Sequence, residues 1–204
     1  MNKWRLPYEK IRKGIRPGDV FAFQGTGPIS KGIAIYEYLR TGTPVKECIT
    51  HISGAVSGPS IFPRKLMIEA DEGEVNVRAI SAEVEKYKGR IFWYPLREEL
   101  SVFRNAMDIH YWENIGKKYD YSIYSKLLFL GNAKVDKERY VCSELVQCSF
   151  QIIPSTVIEE ILRHMKKKWE DFPLLNCLCG CEVFRPNQIV QLPFFKPRIE
   201  IILR

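Results

Sequence analysis

Histidine is scarce in this chain, with 3 in 204 residues, and no stretch has the roughly 18 consecutive apolar residues that a membrane-spanning helix needs. Low-complexity tracts and internal repeats are also missing. The 12 prolines and 13 glycines are spread along the chain, so no segment has the composition of a disordered linker. The opening residues, Met1 to Tyr8, carry charge but neither an apolar stretch nor a small-residue cleavage site. A signal peptide is therefore not expected, and the expectation is a cytoplasmic protein in a reducing compartment. The glycines between positions 25 and 32 lack the Gly-Lys-Ser/Thr ending of a phosphate loop, which excludes that nucleotide-binding motif. No nucleic-acid motif accompanies the net charge of +7, so nucleic acid is not expected as a partner. The basic residues are scattered apart from Lys166, Lys167 and Lys168, which read as a solvated helix face.

What is present is enough apolar residue, 46% of the chain, to bury a full core. The simplest organisation is one domain over residues 1–204, with a core at about 15–175 and a C-terminal extension at 176–204. Of the 6 cysteines, Cys177, Cys179 and Cys181 alternate as residues sharing one face of a strand would. Structural zinc sites space their cysteines more widely and need a fourth ligand, so these thiols read as packing, and neither metal nor cofactor is expected.

Along the chain, the turn Arg16-Pro17-Gly18-Asp19 leads into a strand at Val20-Phe21-Ala22-Phe23. Ser30 reads as the cap of a helix that carries Ile33, Tyr36 and Leu39 on one face and ends at Thr41-Gly42. Ile49 to Val56 reads as a strand with Ile52, Gly54 and Val56 on one face and His51, Ser53 and Ala55 on the other. Lys65 to Ala70 is the return strand. A hairpin centred near Ile61 sets Glu69 roughly opposite Ser53, diagonal to His51 and on its face. Val75 to Arg78 and Ile91 to Leu96 follow as strands, and Leu96 to Gly116 as a helix bordered by a structural His110. Residues Gly116 to Ser122 read as a loop, and Tyr124 to Leu130 as a short apolar segment. Tyr140 and Val141 favour a strand that runs straight into a helix. In it Val141, Leu145, Cys148, Ser149 and Ile152 form the packed stripe, with Ser143, Glu144 and Gln147 opposite. A further helix is capped at Thr156 and buries Val157, Ile158, Ile161, Leu162, Met165 and Trp169, leaving His164 in solvent. The proline-broken tail beyond Asn176 adds an edge strand or wraps the surface.

Cys142 thus opens a packed helix, where unpaired N–H groups favour a thiolate over a thiol. By itself it reads rather as a small core residue like Cys148. With His51 and Glu69 it completes the set that thiol chemistry uses: a nucleophile, a proton-exchanging imidazole and a carboxylate that fixes the imidazole.

Residues 15 to about 150 resemble a circularly permuted papain-like cysteine hydrolase of the NlpC-type superfamily, the YiiX/YaeF-like amidases, with lecithin retinol acyltransferases as distant relatives. The resemblance rests on Arg16-Pro17-Gly18-Asp19, Thr50-His51-Ile52-Ser53-Gly54, Met67-Ile68-Glu69-Ala70, Gly116-Lys117-Lys118-Tyr119-Asp120-Tyr121 and Tyr140-Val141-Cys142-Ser143-Glu144-Leu145. The histidine strand precedes the cysteine helix, as in the permuted branch. The chain departs from the family pattern in reading His-Ile-Ser-Gly after the histidine, and the segment after Phe150 matches nothing in it. The resemblance implies an α+β fold, an antiparallel sheet packed against helices with the nucleophile helix following the sheet. It implies Cys142 as nucleophile, His51 as base and Glu69 as orienting residue, with Tyr119 and Tyr121 in the substrate cleft. Amide or ester hydrolysis or acyl transfer is the implied activity, on a peptide, a peptidoglycan fragment or a lipid-linked amide. Peripheral contact with a membrane is compatible with such substrates. A non-catalytic module binding an acyl or anionic ligand in the same cleft is the alternative.

Overall fold

The structure, a computed structural model, describes residues 5–59, 64–71, 73–122, 139–178 and 183–202. Its strands are β1 (Arg5–Pro7), β2 (Val20–Gly25), β3 (His51–Val56), β4 (Leu66–Ala70), β5 (Val75–Ala79), β6 (Gly89–Tyr94), β7 (Lys118–Tyr119), β8 (Arg139–Tyr140) and β9 (Ile199–Ile202). Its helices are α1 (Tyr8–Ile11), α2 (Pro28–Thr41), α3 (Ile80–Lys86), α4 (Arg104–Glu113), α5 (Cys142–Phe150), α6 (Ser155–His164), α7 (Leu174–Leu178) and α8 (Pro186–Ile189). The fold is α+β. Seven strands form one sheet in the order β1-β9-β6-β2-β3-β4-β5, antiparallel except for the parallel β1–β9 pair.

Both faces of this sheet are covered, and the central strand β2 shows why its sequence is apolar throughout. Val20 and Ala22 pack into a core shared with α4, α5 and α6, whereas Phe21 and Phe23 pack with Tyr8, Ile11 and Ile15 and with Ile80 and Val84 of α3. A strand buried on two sides has no solvent face to mark with polar residues. The turn before β2 is a staple. Gly18 has φ 81°, and a Cβ there would lie 2.8 Å from Met107 Sδ. The buried Asp19 carboxylate accepts from the Arg16 and Leu96 backbone N–H groups, Trp93 Nε1 and Arg104 Nη1 at 2.8–3.0 Å. One carboxylate thereby joins the start of β2, the end of β6 and α4.

Several expectations are corrected. The helix expected over 96–116 begins as a 3-10 turn at Glu98–Phe103, continues as α4, and leaves Ile115 exposed. In α2 the face that carries Ile33, Tyr36 and Leu39 is not the buried one, which holds Ala34 and Glu37, and the helix starts at Pro28 behind Gly27 without a Ser30 cap. Helix α6 begins at Ser155 with no side-chain cap. Cys177 lies in α7 rather than on a strand, while Cys179, Cys181 and the segment 124–130 fall outside the described residues. The tail does more than wrap. β9 is flanked by β1 and β6, and Phe184, Ile189, Leu192 and Phe194 enter the main core.

Candidate active site

The antiparallel pairing Gly54↔Ile68, Ala55↔Met67 and Val56↔Leu66 is the register expected of a hairpin centred near Ile61. Side chains of alternate residues share a face, so His51 and Glu69 come together diagonally at the end of this ladder. His51 Nε2 donates to Glu69 Oε2 at 2.7 Å, and the imidazole packs against Phe23 with ring centroids 5.4 Å apart.

The second oxygen of Glu69 is also taken. Arg78 Nε lies 2.7 Å from Oε1, and the same guanidinium reaches Asp71 at 2.7 Å and Glu83 at 3.7 Å. Arg78 was not singled out from the sequence, although the signal was there. β4 and β5 pair Glu69↔Asn76 and Met67↔Arg78, so Arg78 stands diagonal to Glu69 by the same rule that brings His51 to it.

Cys142 arrives from the other side of the chain. β8 pairs in parallel with β7, Tyr119 opposite Tyr140, and hands the chain through Val141 into α5. The expected loop at 116–122 thus contains a short strand that sets Tyr119 beside the segment leading to Cys142. Helix α5 is held at its start by Glu144, whose Oε2 accepts the Val141 N–H at 3.4 Å. Gln147 accepts the Phe184 N–H at 2.8 Å, and Ser149 bonds Tyr111 Oη at 3.0 Å. The side of α5 opposite the expected stripe, with Ser143, Glu144 and Gln147, is buried as well, whereas Ile152, expected in the stripe, is exposed. The core closes round the whole helix, and its polar residues are there to satisfy neighbouring backbone and hydroxyl groups.

The Cys142 sulfur is a hydrogen-bond neighbour of His51. Burial pulls the imidazolium pKa down. The sulfur's charge and hydrogen bond, followed by the hydrogen bond and charge of Glu69, outweigh this and hold His51 well above 6.5. Burial likewise raises Glu69, but the His51 contact, with smaller help from Arg78 and Lys86, leaves its carboxyl below the ordinary value. The pair therefore favours a charged imidazole held against an ionised carboxylate.

They border a cavity of about 640 Å³ whose lining is mostly apolar. Phe23, Tyr87, Tyr119, Tyr121 and Val141 contribute to it, together with Ile29, Ile33 and Tyr36 of α2 and Val183, Phe184 and Pro186 of the tail. The Tyr119 and Tyr121 rings lie 5.0 Å apart, the first buried and the second exposed. Burial pushes the Tyr87 hydroxyl up to about 12, so it stays protonated. The contributions of α2 and the tail were not foreseen, because no short-range pattern links positions 29–36 or 183–186 to Cys142. His110 and His164 lie away from this cavity, the first beside Asn114 and Tyr111, the second in solvent.

No group of three or more His, Cys, Asp or Glu residues among the described residues is arranged to hold a metal ion. No helix among them is long and apolar enough to cross a membrane.

No family model matches the chain, and no curated protein matches it in sequence. Among solved structures, it is similar to the crystal structure of the metalloprotein YiiX of Escherichia coli O157:H7, with a TM-score of 0.58, 17% sequence identity, and coverage of 93% of this chain and 97% of that one. At that identity the likeness is one of fold: the chain has a YiiX-like α+β fold.

Proposed function

We propose that the protein is a cysteine-dependent hydrolase or acyltransferase acting on an amide or ester, with Cys142 as nucleophile, His51 as acid and base, and Glu69 as the residue that orients His51. The observation that carries this reading is the relay from Cys142 to His51 to Glu69, closed by the 2.7 Å His51–Glu69 hydrogen bond at the wall of an apolar cavity. The resemblance to permuted papain-like enzymes supports the same roles.

Cys142 passes its proton to His51 and its sulfur attacks the carbonyl carbon, and the oxygen takes up the negative charge beside the first-turn N–H groups of α5, among them that of Cys142. As the carbonyl re-forms, the C–N or C–O bond breaks and the leaving amine or alcohol takes the proton from His51. The product is a thioester on Cys142 beside a neutral imidazole. Water, or an acceptor alcohol or amine, then loses a proton to His51 and attacks the thioester, and Cys142 leaves with the electron pair. Glu69 holds the ring so that Nε2 faces away from sulfur, and Arg78 holds Glu69.

The test is site-resolved alkylation by iodoacetamide from pH 5 to 9, read by mass spectrometry. Cys142 is expected to react at pH 6 at least tenfold faster than Cys148, and His51→Ala to abolish that advantage. Equal rates for the two thiols, or a Cys142 indifferent to His51→Ala, would leave a binding cavity without chemistry.

A further inference from the structure

Helix α2 turns apolar residues toward solvent. Ile29 is 66% exposed, Leu39 75%, and Ile35 and Tyr38 each 52%, while the side facing the protein carries Ala34 and Glu37. At 100° per residue, Ile35, Leu39, Gly32, Tyr36, Ile29 and Ile33 follow in that order around the helix, with Arg40 of the last turn between the angles of the final two. Of the six apolar or glycine positions, all but Ile35 and Leu39 line the cavity that holds Cys142. A continuous apolar surface therefore runs from bulk solvent to the candidate nucleophile. Ile109 and Trp112 are also exposed, but neither lines the cavity.

The exposed charges of α2 itself are basic, and of the turn after it Lys46 and Glu47 are both exposed. Lys31, Arg40 and Lys46 are exposed, and the only carboxylate between positions 26 and 46, that of Glu37, is buried 3.1 Å from Arg185 Nε. The whole chain carries +7. Contiguous exposed apolar residues mark interaction surfaces, and basic side chains beside them favour an anionic bilayer over a neutral one.

We propose that α2 is the docking surface of this protein for an anionic lipid membrane, and that the acyl group attacked by Cys142 passes from the bilayer along α2 into the cavity. The docking stands on α2 alone, and the delivery rests on the hydrolase reading above. The helix of 14 residues, about 21 Å long, lies along the headgroup boundary with Leu39 and Ile35 inserted. Lys31, Arg40 and Lys46 meet the lipid phosphates, and Ile29, Ile33 and Tyr36 form the wall along which an acyl chain slides.

The experiment compares the whole protein with Ile35→Asp/Leu39→Asp, with Lys31→Gln/Arg40→Gln/Lys46→Gln and with Cys142→Ser. Each is sedimented with vesicles of phosphatidylcholine alone or mixed with phosphatidylserine. The substituted α2 residues are exposed, and unchanged thermal unfolding verifies that the variants fold. Wild type and Cys142→Ser are expected to bind the mixed vesicles alike, and the aspartate pair to bind them at least tenfold more weakly. The glutamine variant should lose only the phosphatidylserine-dependent part, roughly fivefold per side chain. An alkyl maleimide dissolved in the mixed vesicles should modify Cys142 at least tenfold faster in wild type than in the aspartate pair, with water-soluble iodoacetamide modifying both equally. Absence of vesicle binding, or equal binding by the aspartate pair, overturns the docking surface whatever the reactivity of Cys142. Self-association that the aspartate pair abolishes, without vesicle binding, reassigns the face to contacts between copies. Vesicle binding with an inert Cys142 keeps the docking and overturns delivery together with the hydrolase reading.

Discussion

His51 faces the Cys142 sulfur on one side and on the other Glu69, which divides its two oxygens between the imidazole and a guanidinium, and these neighbours govern how the site responds to pH. The folded protein holds the His51 pKa above its unfolded value, so the charged imidazole favours folding. That contribution is complete below about 6.5, the ordinary histidine pKa, and disappears as pH rises through the raised folded value. Glu69, shifted downward, stays ionised throughout that range, so the charges facing His51 from β4 and β5 do not change with it. His51→Gln removes the contribution. The unfolding temperature of wild type should exceed that of His51→Gln most at pH 6, and the gap should narrow steadily toward pH 9. A gap that is constant or widens with pH would contradict the raised pKa.

Among the elements, α5 and β3 are the pair on which the position of Cys142 depends, and a glycine of β3 lies against the α4 tyrosine that holds α5. A Cβ at Gly54 would enter the Tyr111 ring, 2.6 Å from Cε2, and Tyr111 in turn holds Ser149 of α5 through its hydroxyl. Both Tyr111 and Ser149 are fully buried, which leaves no free space to absorb a methyl group. Gly54→Ala is expected to destabilise the fold by about 1–3 kcal/mol, the usual penalty for overpacking, measured by denaturant unfolding. It should also slow Cys142 alkylation by displacing α5 from β3. An unaffected stability would mean that Tyr111 has room to move and that the helix is held elsewhere.

At the scale of the whole molecule, the two ends of the chain complete a sheet that the middle begins. β9 supplies the bridge between β6 and β1, and the segment before it sends Phe194 into the core against Phe150 at the end of α5, with ring centroids 5.3 Å apart. Gln147 and Phe184 tie the same helix to the tail by a 2.8 Å hydrogen bond. The tail therefore belongs to the scaffold of the site. Phe194→Ala should cost about 3–5 kcal/mol, the range for emptying a buried phenylalanine site, and lower the unfolding temperature accordingly. A loss under about 1 kcal/mol, typical of surface positions, would show that the tail packs independently of α5.

What the amino-acid order determined by itself was local. The Pro-Gly-Asp turn, the β3–β4 register and the helix start at Cys142 follow from backbone geometry and from side-chain periods of two and 3.6 residues, which act over a few positions. The hairpin register was enough to set His51 and Glu69 on one face, and the same rule, applied one strand further, reaches Arg78. The burial of all sides of α5 depended on contacts between residues tens of positions apart, such as Gln147 with Phe184 and Ser149 with Tyr111. So did the outward turn of the apolar residues of α2. Its inward face was chosen by where Arg185 stands to meet Glu37, and hydrophobic spacing within a helix carries no information about a partner nearly 150 residues away. The approach of Cys142 to His51 was of the same kind. It required the closed sheet, the β7–β8 ladder and the tail together, and only the tertiary structure brings these into one place.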